Sequence, residues 1–337
     1  MAGAAGQVLG DRYRLVQQIA PGSMGEVWRG YDEVREREVA AKEIRPGHLI
    51  RSLPGSLTDE LAAPVMREAA ALARLDHPGI AATYDAVGCN GTLWIVVEFI
   101  PGPCLAQVIA AQGPLGWRRA AALGADLARA LGYAHAAGVI HARLNPGNVL
   151  LAAGRTVITD FALTDYIVYH LFGNLDHVID SRIDTRVVEA CRYLAPEKVL
   201  GDPVRAPADL WALGATLYTA VEGCPPFPDR DIPHILEGIC FRPIPAPRHA
   251  GPMASVLSSL IARDPGLRPS ASVAAQLLQA VAGNETGSAL RRPGAVEFWA
   301  SCLPDLRQAV ATLAPGRLPE MARGALPRRS SRRPGAL

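Results

Sequence analysis

An alanine-rich stretch, residues 116–137, constrains the fold of this chain more than any other feature. Its leucines Leu123, Leu127 and Leu131 recur every fourth residue, a spacing that places side chains on one face of an α-helix. The alanines around them favour one long helix, because alanine is the best helix former. The stretch leads into a polar loop, residues 141–151. We therefore expect a long helix with a buried face to deliver this loop, and the rest of the chain to be arranged around it.

A glycine-containing turn joins the first two predicted strands. Residues 13–18 and the short stretch around Val27 are the strands, and the turn between them holds Ala20, Gly22 and Gly25. Glycines let backbone amides approach phosphate oxygens, because no Cβ stands in the way. A glycine turn between strands is more often only a turn, so this feature alone does not identify a nucleotide site.

A third predicted strand, residues 38–42, contains Ala40 and ends at Lys42. An isolated lysine on a strand usually lies at a solvated edge. Its position after the glycine turn favours a functional role instead. Apolar residues in 61–75 then recur with the spacing of a helix that buries one face.

Two later strands lead to polar residues. Residues 93–100 form a predicted strand with Val97, Glu98 and Ile100, which ends in a Pro-Gly bend. Residues 156–162 hold a strand that leads to Asp160. A carboxylate supplies the hard oxygen ligands that Mg²⁺ prefers. A lone Asp-Phe pair carries little information, so its weight depends on the motifs around it.

Composition limits the class of protein. The chain has 337 residues, 49% of them hydrophobic, which is enough for a sizeable core and two lobes or small domains. Its formal charge of +2 argues for neither a nucleic acid nor an acidic substrate. The six cysteines include no C-x-x-C pair, as is typical of reduced thiols. Without a signal-peptide pattern or an apolar run of about 18 residues, we expect a cytoplasmic protein with no transmembrane segment.

Taken in order, these motifs resemble those of the eukaryotic-like (bacterial) Ser/Thr protein kinase family. The glycine turn resembles G-x-G-x-x-G-x-V, residues 39–42 resemble V-A-x-K, and residues 141–148 resemble H-R-D-L-K-P-x-N. Later, residues 195–197 match A-P-E and residues 264–269 match D-P-x-x-R-P. Because the series keeps the family's order and spacing, the resemblance is specific over residues 11–282.

The resemblance implies an α+β, bilobal fold, with a small β-rich N-lobe and a larger helical C-lobe. It also implies a buried ion pair between Glu197 and Arg268. The predicted boundaries are an N-terminal extension at 1–10, the N-lobe at 11–100, the C-lobe at 101–282, a short helical extension at 283–314 and a disordered Arg/Pro-rich tail at 315–337.

The resemblance further implies a site for ATP, with Mg²⁺ as the accompanying ion. In the family, the strand lysine clamps the phosphates and pairs with a helix glutamate, while an asparagine and an aspartate hold the metal. Carried over, the metal ligands are Asn148 and Asp160. The nucleotide-binding residues are Ala20, Gly22, Gly25, Val27, Ala40, Lys42, Glu68, Val97, Glu98, Ile100, Asn148 and Asp160.

The positions that transfer the phosphoryl group in the family are changed here. The proton-accepting aspartate is replaced by Arg143, the nearby lysine by Asn145, and the threonine that contacts both by Ala190. A guanidinium stays protonated and cannot serve as a base. Ala142 replaces the arginine that pairs with a phosphate on the activation segment. From this division we predict a pseudokinase, which binds ATP and acts as a signalling scaffold or allosteric regulator with little or no phosphotransfer, and which is therefore not an enzyme.

Three other functions remain open at this point. A weak or atypical Ser/Thr kinase would use another acidic group, such as Asp165, as the base. A nucleotidyl transferase would attach AMP to its target, if the altered loop binds ATP in reverse. A module that binds no nucleotide is favoured by Ala20, Pro21 and Ala162, because proline stiffens the glycine turn and both alanines replace glycines of the family.

Two segments are candidates for contact with partners. The apolar run between Tyr166 and Phe172 cannot stay solvated without cost, so we expect it to pack on its own domain or on a protein partner. Residues 315–337 contain six arginines against the single Glu320. Such a composition is typical of a disordered tail, and its charge also suits contact with an acidic surface.

Overall fold

The computed structural model describes residues 3–21, 25–44, 66, 69–152, 154–161 and 185–283, and all structural statements below concern these residues. The chain divides into two compact units, Met1–Glu285 and Thr286–Leu337, and the described residues all belong to the first. The predicted extension after residue 283, the tail and the apolar run between Tyr166 and Phe172 therefore lie outside the described residues.

An antiparallel sheet of six strands forms the N-terminal part. The order across the sheet is β1-β2-β3-β4-β6-β5, so β4 and β6 are interior strands. The strands predicted around Tyr13, Val27, Lys42 and Val97 are confirmed. In chain order the strands are β1 (Val8–Leu9), β2 (Tyr13–Pro21), β3 (Glu26–Asp32), β4 (Arg37–Ile44), β5 (Thr83–Cys89) and β6 (Thr92–Glu98).

Strand register sets the position of Lys42. In the β3–β4 ladder Val27 pairs with Lys42, and in the β4–β6 ladder Ala40 pairs with Val97. Because side chains alternate between the faces of a strand, Ala40 and Lys42 share one face. The other face is covered as well, and its apolar cluster includes Leu9 from β1. The stretch predicted as an N-terminal extension thus contributes a fully buried side chain to the sheet.

The C-terminal part is mainly helical. The long helix α2 confirms the one predicted at residues 116–137, and its three leucines are buried. It packs along α8 and against α5. In the described ranges, no helix combines the length and apolarity needed to cross a membrane. The helices are α1 (Leu105–Gln112), α2 (Trp117–Ala136), α3 (Thr185–Cys191), α4 (Pro196–Val199), α5 (Ala206–Glu222), α6 (Ile232–Cys240), α7 (Ala254–Leu260) and α8 (Ala271–Gly283).

Helix α5 lies in the core, since every residue from Ala208 to Val221 is buried. Pro207 in its first turn is well placed, because a proline lacks an N–H that would have no partner there. The helix ends at Gly223, whose φ of 78° is easily reached only by glycine. This apolar helix carries one fully buried carboxylate, Asp209. A buried polar group of this kind needs hydrogen-bond partners, and they come from α2 and from the polar loop.

A short hairpin positions both ends of the candidate site. Its strands are β7 (Val149–Ala152) and β8 (Arg155–Ile158). The amide of Ile158 donates to the carbonyl of Gly79 at 2.9 Å, which ties β8 to the turn that precedes β5. Residues 141–148 of the polar loop come directly before β7, and Asp160 lies two residues after the end of β8. The hairpin therefore brings the polar loop and Asp160 together.

A buried ion pair links α4 to the segment before α8. Arg268 donates to both carboxylate oxygens of Glu197, at 2.6 and 2.8 Å, so the predicted pairing is confirmed. The same guanidinium also donates to the carbonyls of Ala262, Pro207 and Arg263. Its hydrogen-bonding capacity is thus fully used within the scaffold.

Candidate active site

Lys42 extends from β4 towards the residues that follow β8. Its Nζ donates to Thr159 Oγ1 at 2.7 Å and forms an ion pair with Asp160. Burial opposes ionisation of Asp160, but the charge and hydrogen bond of Lys42 outweigh it, so the pKa of Asp160 lies below its usual value. The carboxylate is therefore charged at neutral pH and available to a cation. The sequence did not point to Thr159, which belongs to the site only because it precedes Asp160.

Lysine is scarce in this chain. Among its 34 lysines and arginines only Lys42 and Lys198 are lysines. Lys198 Nζ donates to the carbonyl of Ala142 at 3.1 Å, so both lysines reach the same region. An ammonium is a compact point charge, whereas a guanidinium is a planar fork, and the two are not interchangeable beside a phosphate. A lysine at position 42 suits a point contact with phosphate oxygens.

Asp209 fixes the start of the polar loop. Its carboxylate accepts hydrogen bonds from the amides of His141 and Ala142, at 2.8 and 2.7 Å, and lies 2.7 Å from His135 Nε2. Ala142 has a φ of 63°, a region that non-glycine residues seldom occupy. Helix α5 thus holds the loop in a conformation that its own sequence does not favour. No local signal in the sequence linked Asp209 to the loop.

His141 packs beneath the site. Its Nε2 lies 3.0 Å from the carbonyl of Thr159, and its ring centroid is 4.5 Å from that of Phe161. These contacts join the polar loop to the residues around Asp160.

The two asparagines of the loop have different partners. Asn145 donates to the carbonyl of Arg143 at 3.0 Å and accepts from the amide of Gly147 at 2.8 Å, where it caps the short 3-10 helix Pro146–Asn148. Both ends of this amide are bound within the loop, so Asn145 shapes it. Asn148 donates to the same carbonyl at 3.1 Å, and its Oδ1 forms no hydrogen bond with the described residues.

Asp160 and Asn148 fit a divalent cation. A carboxylate and an amide oxygen are both hard ligands of the kind Mg²⁺ binds. Asp160 has a φ of 66°, a conformation that aspartate tolerates better than most residues and that the contacts of Thr159 and Phe161 hold on either side. Mg²⁺ held by these two residues would neutralise negative charge on the phosphates of a nucleotide.

The predicted adenine side is apolar. Val27, Ala40 and Val97 belong to one cluster that continues into the helical part. Ile100 is buried, and in the described part of the chain its backbone forms no hydrogen bond, which leaves it available to an adenine edge. The Glu98 carboxylate is paired with Arg155 at 3.0 Å. A nucleotide would therefore meet the backbone of Glu98 and not its side chain.

The glycine turn is described only in part. A Cβ on Gly25 would lie 2.4 Å from the carbonyl oxygen of Glu43, so only glycine fits there. Ala20 pairs with Val27 in the β2–β3 ladder. Gly22 and Glu68 lie outside the described residues. The predicted pairing of Lys42 with Glu68 therefore stays a prediction.

The side of the site where an acceptor would lie is positively charged. Helix α3 carries Ala190 and ends at Cys191, which is 8% exposed. Burial raises the pKa of the Cys191 thiol to about 11, although Arg143, Lys198 and Arg192 act in the opposite direction. The thiol is therefore protonated at neutral pH. Neither it nor the guanidinium of Arg143 can accept a proton from a substrate hydroxyl.

A β-rich lobe and a helical lobe, with a lysine–aspartate pair beside a loop anchored by a buried carboxylate, define a protein kinase domain. The family described as "Protein kinase domain" matches residues 13–280. The chain therefore belongs to the protein kinase family, among the eukaryotic-like Ser/Thr kinases of bacteria. The predicted bilobal α+β fold is confirmed. Members of this family use ATP and Mg²⁺ in general.

Curated relatives agree with this assignment. Serine/threonine-protein kinase PknA of Mycobacterium tuberculosis is 31% identical over 279 residues, which cover 80% of this chain and 60% of PknA. Serine/threonine-protein kinase PknB of the same species is 32% identical over 267 residues, covering 76% of this chain and 40% of PknB. PknB of Mycolicibacterium smegmatis is 30% identical over 260 residues, with the same coverage. The chain thus spans 40% to 60% of the length of these relatives.

The prediction that the chain is not an enzyme is wrong. The family match, the relatives named as Ser/Thr kinases and the ion pair between Lys42 and Asp160 all fit a catalytic kinase. The prediction gave too much weight to Arg143 and Asn145. Phosphoryl transfer depends mainly on positioning and electrostatics, so changes at these two positions are not sufficient evidence against activity.

Proposed function

We propose that the chain is an ATP-dependent Ser/Thr protein kinase with slow turnover. The observation that carries this proposal is the ion pair between Lys42 and Asp160, since it joins the phosphate-clamping strand to the metal-binding residue. Asn148, the second metal ligand, lies in the loop that His141 and Thr159 hold against Asp160. These residues would position ATP and Mg²⁺ for transfer.

Turnover is slow because the acceptor side lacks a base. Arg143 occupies the position of the proton-accepting residue and stays protonated. Loss of a general base typically costs a factor of about 10² to 10⁴ in rate. Asn145 cannot compensate, because both ends of its amide are bound within the loop. Positioning of the nucleotide then supplies what catalysis remains.

Phosphate transfer from γ-labelled ATP tests the proposal. The purified chain with Mg²⁺ and a general protein acceptor is expected to incorporate label slowly on serine or threonine, and Lys42→Met is expected to abolish it. Arg119→Gln, at an exposed position on α2, serves as the control. Incorporation that Lys42→Met leaves unchanged would come from a contaminant and would contradict the proposal. Mass spectrometry of the product distinguishes an added phosphate from an added AMP.

A regulatory role alongside slow turnover is a second candidate. It is favoured by Asn145, because a loop that uses this side chain for its own shape is well suited to a stable nucleotide-bound state that a partner recognises. The protein partner expected at residues 166–172, and the acidic surface expected at the Arg-rich tail, would belong to this role. Both stay predictions, and a pull-down that depends on ATP would test the first.

A further inference from the structure

The backbone of Arg143 is held firmly. Its amide donates to His141 Nδ1 at 3.1 Å. Its carbonyl accepts from Asn145 at 3.0 Å and from Asn148 at 3.1 Å. The origin of the side chain is therefore fixed relative to both the metal-binding asparagine and the loop. A fixed origin makes a long side chain useful for binding, because less freedom is lost when a ligand arrives.

The guanidinium of Arg143 is incompletely satisfied. Its Nη1 is buried and forms no hydrogen bond with any described residue. Arg268 offers a contrast within the same chain, because its guanidinium donates to a carboxylate and three carbonyls. A buried donor without an acceptor is unfavourable, more so when it carries charge. A buried cationic donor of this kind calls for an anionic acceptor from outside the described structure.

The position of Arg143 indicates which acceptor. Its carbonyl accepts from the candidate metal ligand Asn148 at 3.1 Å, so its side chain starts beside the nucleotide side of the site. On the acceptor side, Cys191 is buried in an apolar cluster with Trp211. A buried, apolar surface of this kind is unfavourable for an anion. On the nucleotide side, Asp160 is already paired with Lys42 and partly exposed.

We propose that Arg143 binds the γ-phosphate of ATP and lets this kinase distinguish ATP from ADP without relying on Mg²⁺ alone. The inference rests on the proposed ATP site. A guanidinium fork matches two phosphate oxygens, which gives a stronger and more directional contact than a lysine would. ADP lacks the γ-phosphate and would leave the buried nitrogen without its acceptor. The same residue that removes the base thus adds a ligand for the nucleotide.

Calorimetric titration of ATP and ADP tests the inference. The full chain is titrated with each nucleotide, in Mg²⁺ and in EDTA. We expect the unaltered chain to prefer ATP in EDTA by about 10-fold or more, the range of one charge-assisted hydrogen bond. Arg143→Gln is expected to lower the affinity for ATP by about 10- to 100-fold and to leave the affinity for ADP unchanged. Arg143→Lys should fall between them, because it keeps the charge and loses the fork.

Controls separate this inference from the proposed function. Arg119→Gln removes an exposed arginine of α2 and is expected to change neither affinity. A thermal melt of each variant shows that the fold is intact. If the unaltered chain binds neither nucleotide, the proposed function fails together with the inference. If ATP and ADP bind and Arg143→Gln weakens both equally or neither, only the inference fails. The inference is also overturned if Arg143→Gln loses binding of an acidic peptide and keeps its affinity for ATP.

Discussion

The two sides of this active site differ in how their side chains are used. On the nucleotide side, Lys42 pairs with Asp160, and the carbonyl of Asn148 accepts from the amide of Thr159. The side-chain oxygen of Asn148 forms no hydrogen bond with the described residues. On the acceptor side, both ends of the Asn145 amide are hydrogen-bonded within the loop, and Cys191 is buried. Groups with capacity for a ligand thus lie on one side, and groups that fix the scaffold lie on the other.

This difference shows why loss of family residues on one side need not end catalysis. Nucleotide positioning depends on β4, β8 and the polar loop, which the hairpin and Asp209 hold together. Proton removal depends on a single side chain. Changing Arg143 therefore affects proton removal and the proposed contact with the γ-phosphate, while the rest of the proposed ATP site keeps its construction.

The largest expected effect comes from restoring a base at position 143. In Arg143→Asp a carboxylate replaces a cation that cannot accept a proton, so phosphate transfer at saturating ATP should rise by about 10² to 10⁴. The affinity for ATP should fall at the same time, because the guanidinium is lost. Initial rates with γ-labelled ATP, measured over a range of ATP concentrations, give both quantities.

Arg143→Gln is the matched control for this gain. It removes the charge without supplying a base, so its rate at saturating ATP should stay near that of the unaltered chain. An equal rise in both variants would mean that the cation itself slows the reaction. The slow turnover would then be due to the positive charge of Arg143 and not to the missing base.

The second effect compares two ion pairs in the same chain. Arg268→Ala leaves the Glu197 carboxylate buried without its partner and should destabilise the fold by about 3–5 kcal/mol. Asp160→Asn removes one partner of the more exposed pair with Lys42 and should cost less than about 1 kcal/mol, while abolishing Mg²⁺-dependent ATP binding. Urea unfolding followed by circular dichroism measures both costs. Equal costs would show that the Lys42–Asp160 pair is also structural.

Much of this arrangement was accessible from the sequence. The glycine turn, Lys42 on its strand and the long helix before His141 were predicted from local pattern, because strands and helices have characteristic spacings. The partners were harder to predict. Thr159 beside Lys42, Asp209 beneath Ala142 and the internal bonds of Asn145 depend on contacts between distant segments. No spacing in the sequence encodes them.

The inference that the chain is not an enzyme failed for a related reason. The prediction inferred a loss of catalysis directly from the residue types at Arg143 and Asn145. Which side chains lie near Asp160 depends on contacts between distant segments, such as that of Lys42 on β4 with Thr159 after β8. The sequence therefore predicted which residues are unusual and could not predict their effect on activity.

The third effect is a loss of stability at low pH, and it tests an ion pair within the sheet that carries Lys42. Asp32 caps the β3–β4 turn, is fully buried and pairs with Arg12 at 2.7 Å. The hydrogen bond from Arg12 lowers the pKa of Asp32 to about 2. A carboxyl with a depressed pKa stabilises the fold above its unfolded pKa near 4 and loses this contribution as pH falls towards 2. We expect a loss of about 1–2 kcal/mol over that interval, since partial exposure of Arg12 screens the pair.

Asp32→Asn is the control for the acid effect. The variant should be less stable than the unaltered chain at pH 6, and the gap should narrow as pH approaches 2. Denaturant melts at several pH values measure the gap. A constant gap would show that the Asp32 carboxyl does not titrate in this interval.

The smallest effect concerns Ala142, which directly precedes Arg143 in the polar loop. Its φ of 63° is imposed by the hydrogen bond from its amide to Asp209, and a residue with a Cβ is strained there by about 1 kcal/mol. Ala142→Gly should relieve the strain and raise stability by about 0.5 kcal/mol, after the greater entropy of glycine in the unfolded chain is subtracted. Ala122→Gly, at an exposed position inside α2, should instead lower stability by about 1 kcal/mol. Opposite signs in denaturant melts would show that Asp209 imposes the loop conformation. Equal losses would mean that the loop holds Ala142 without strain.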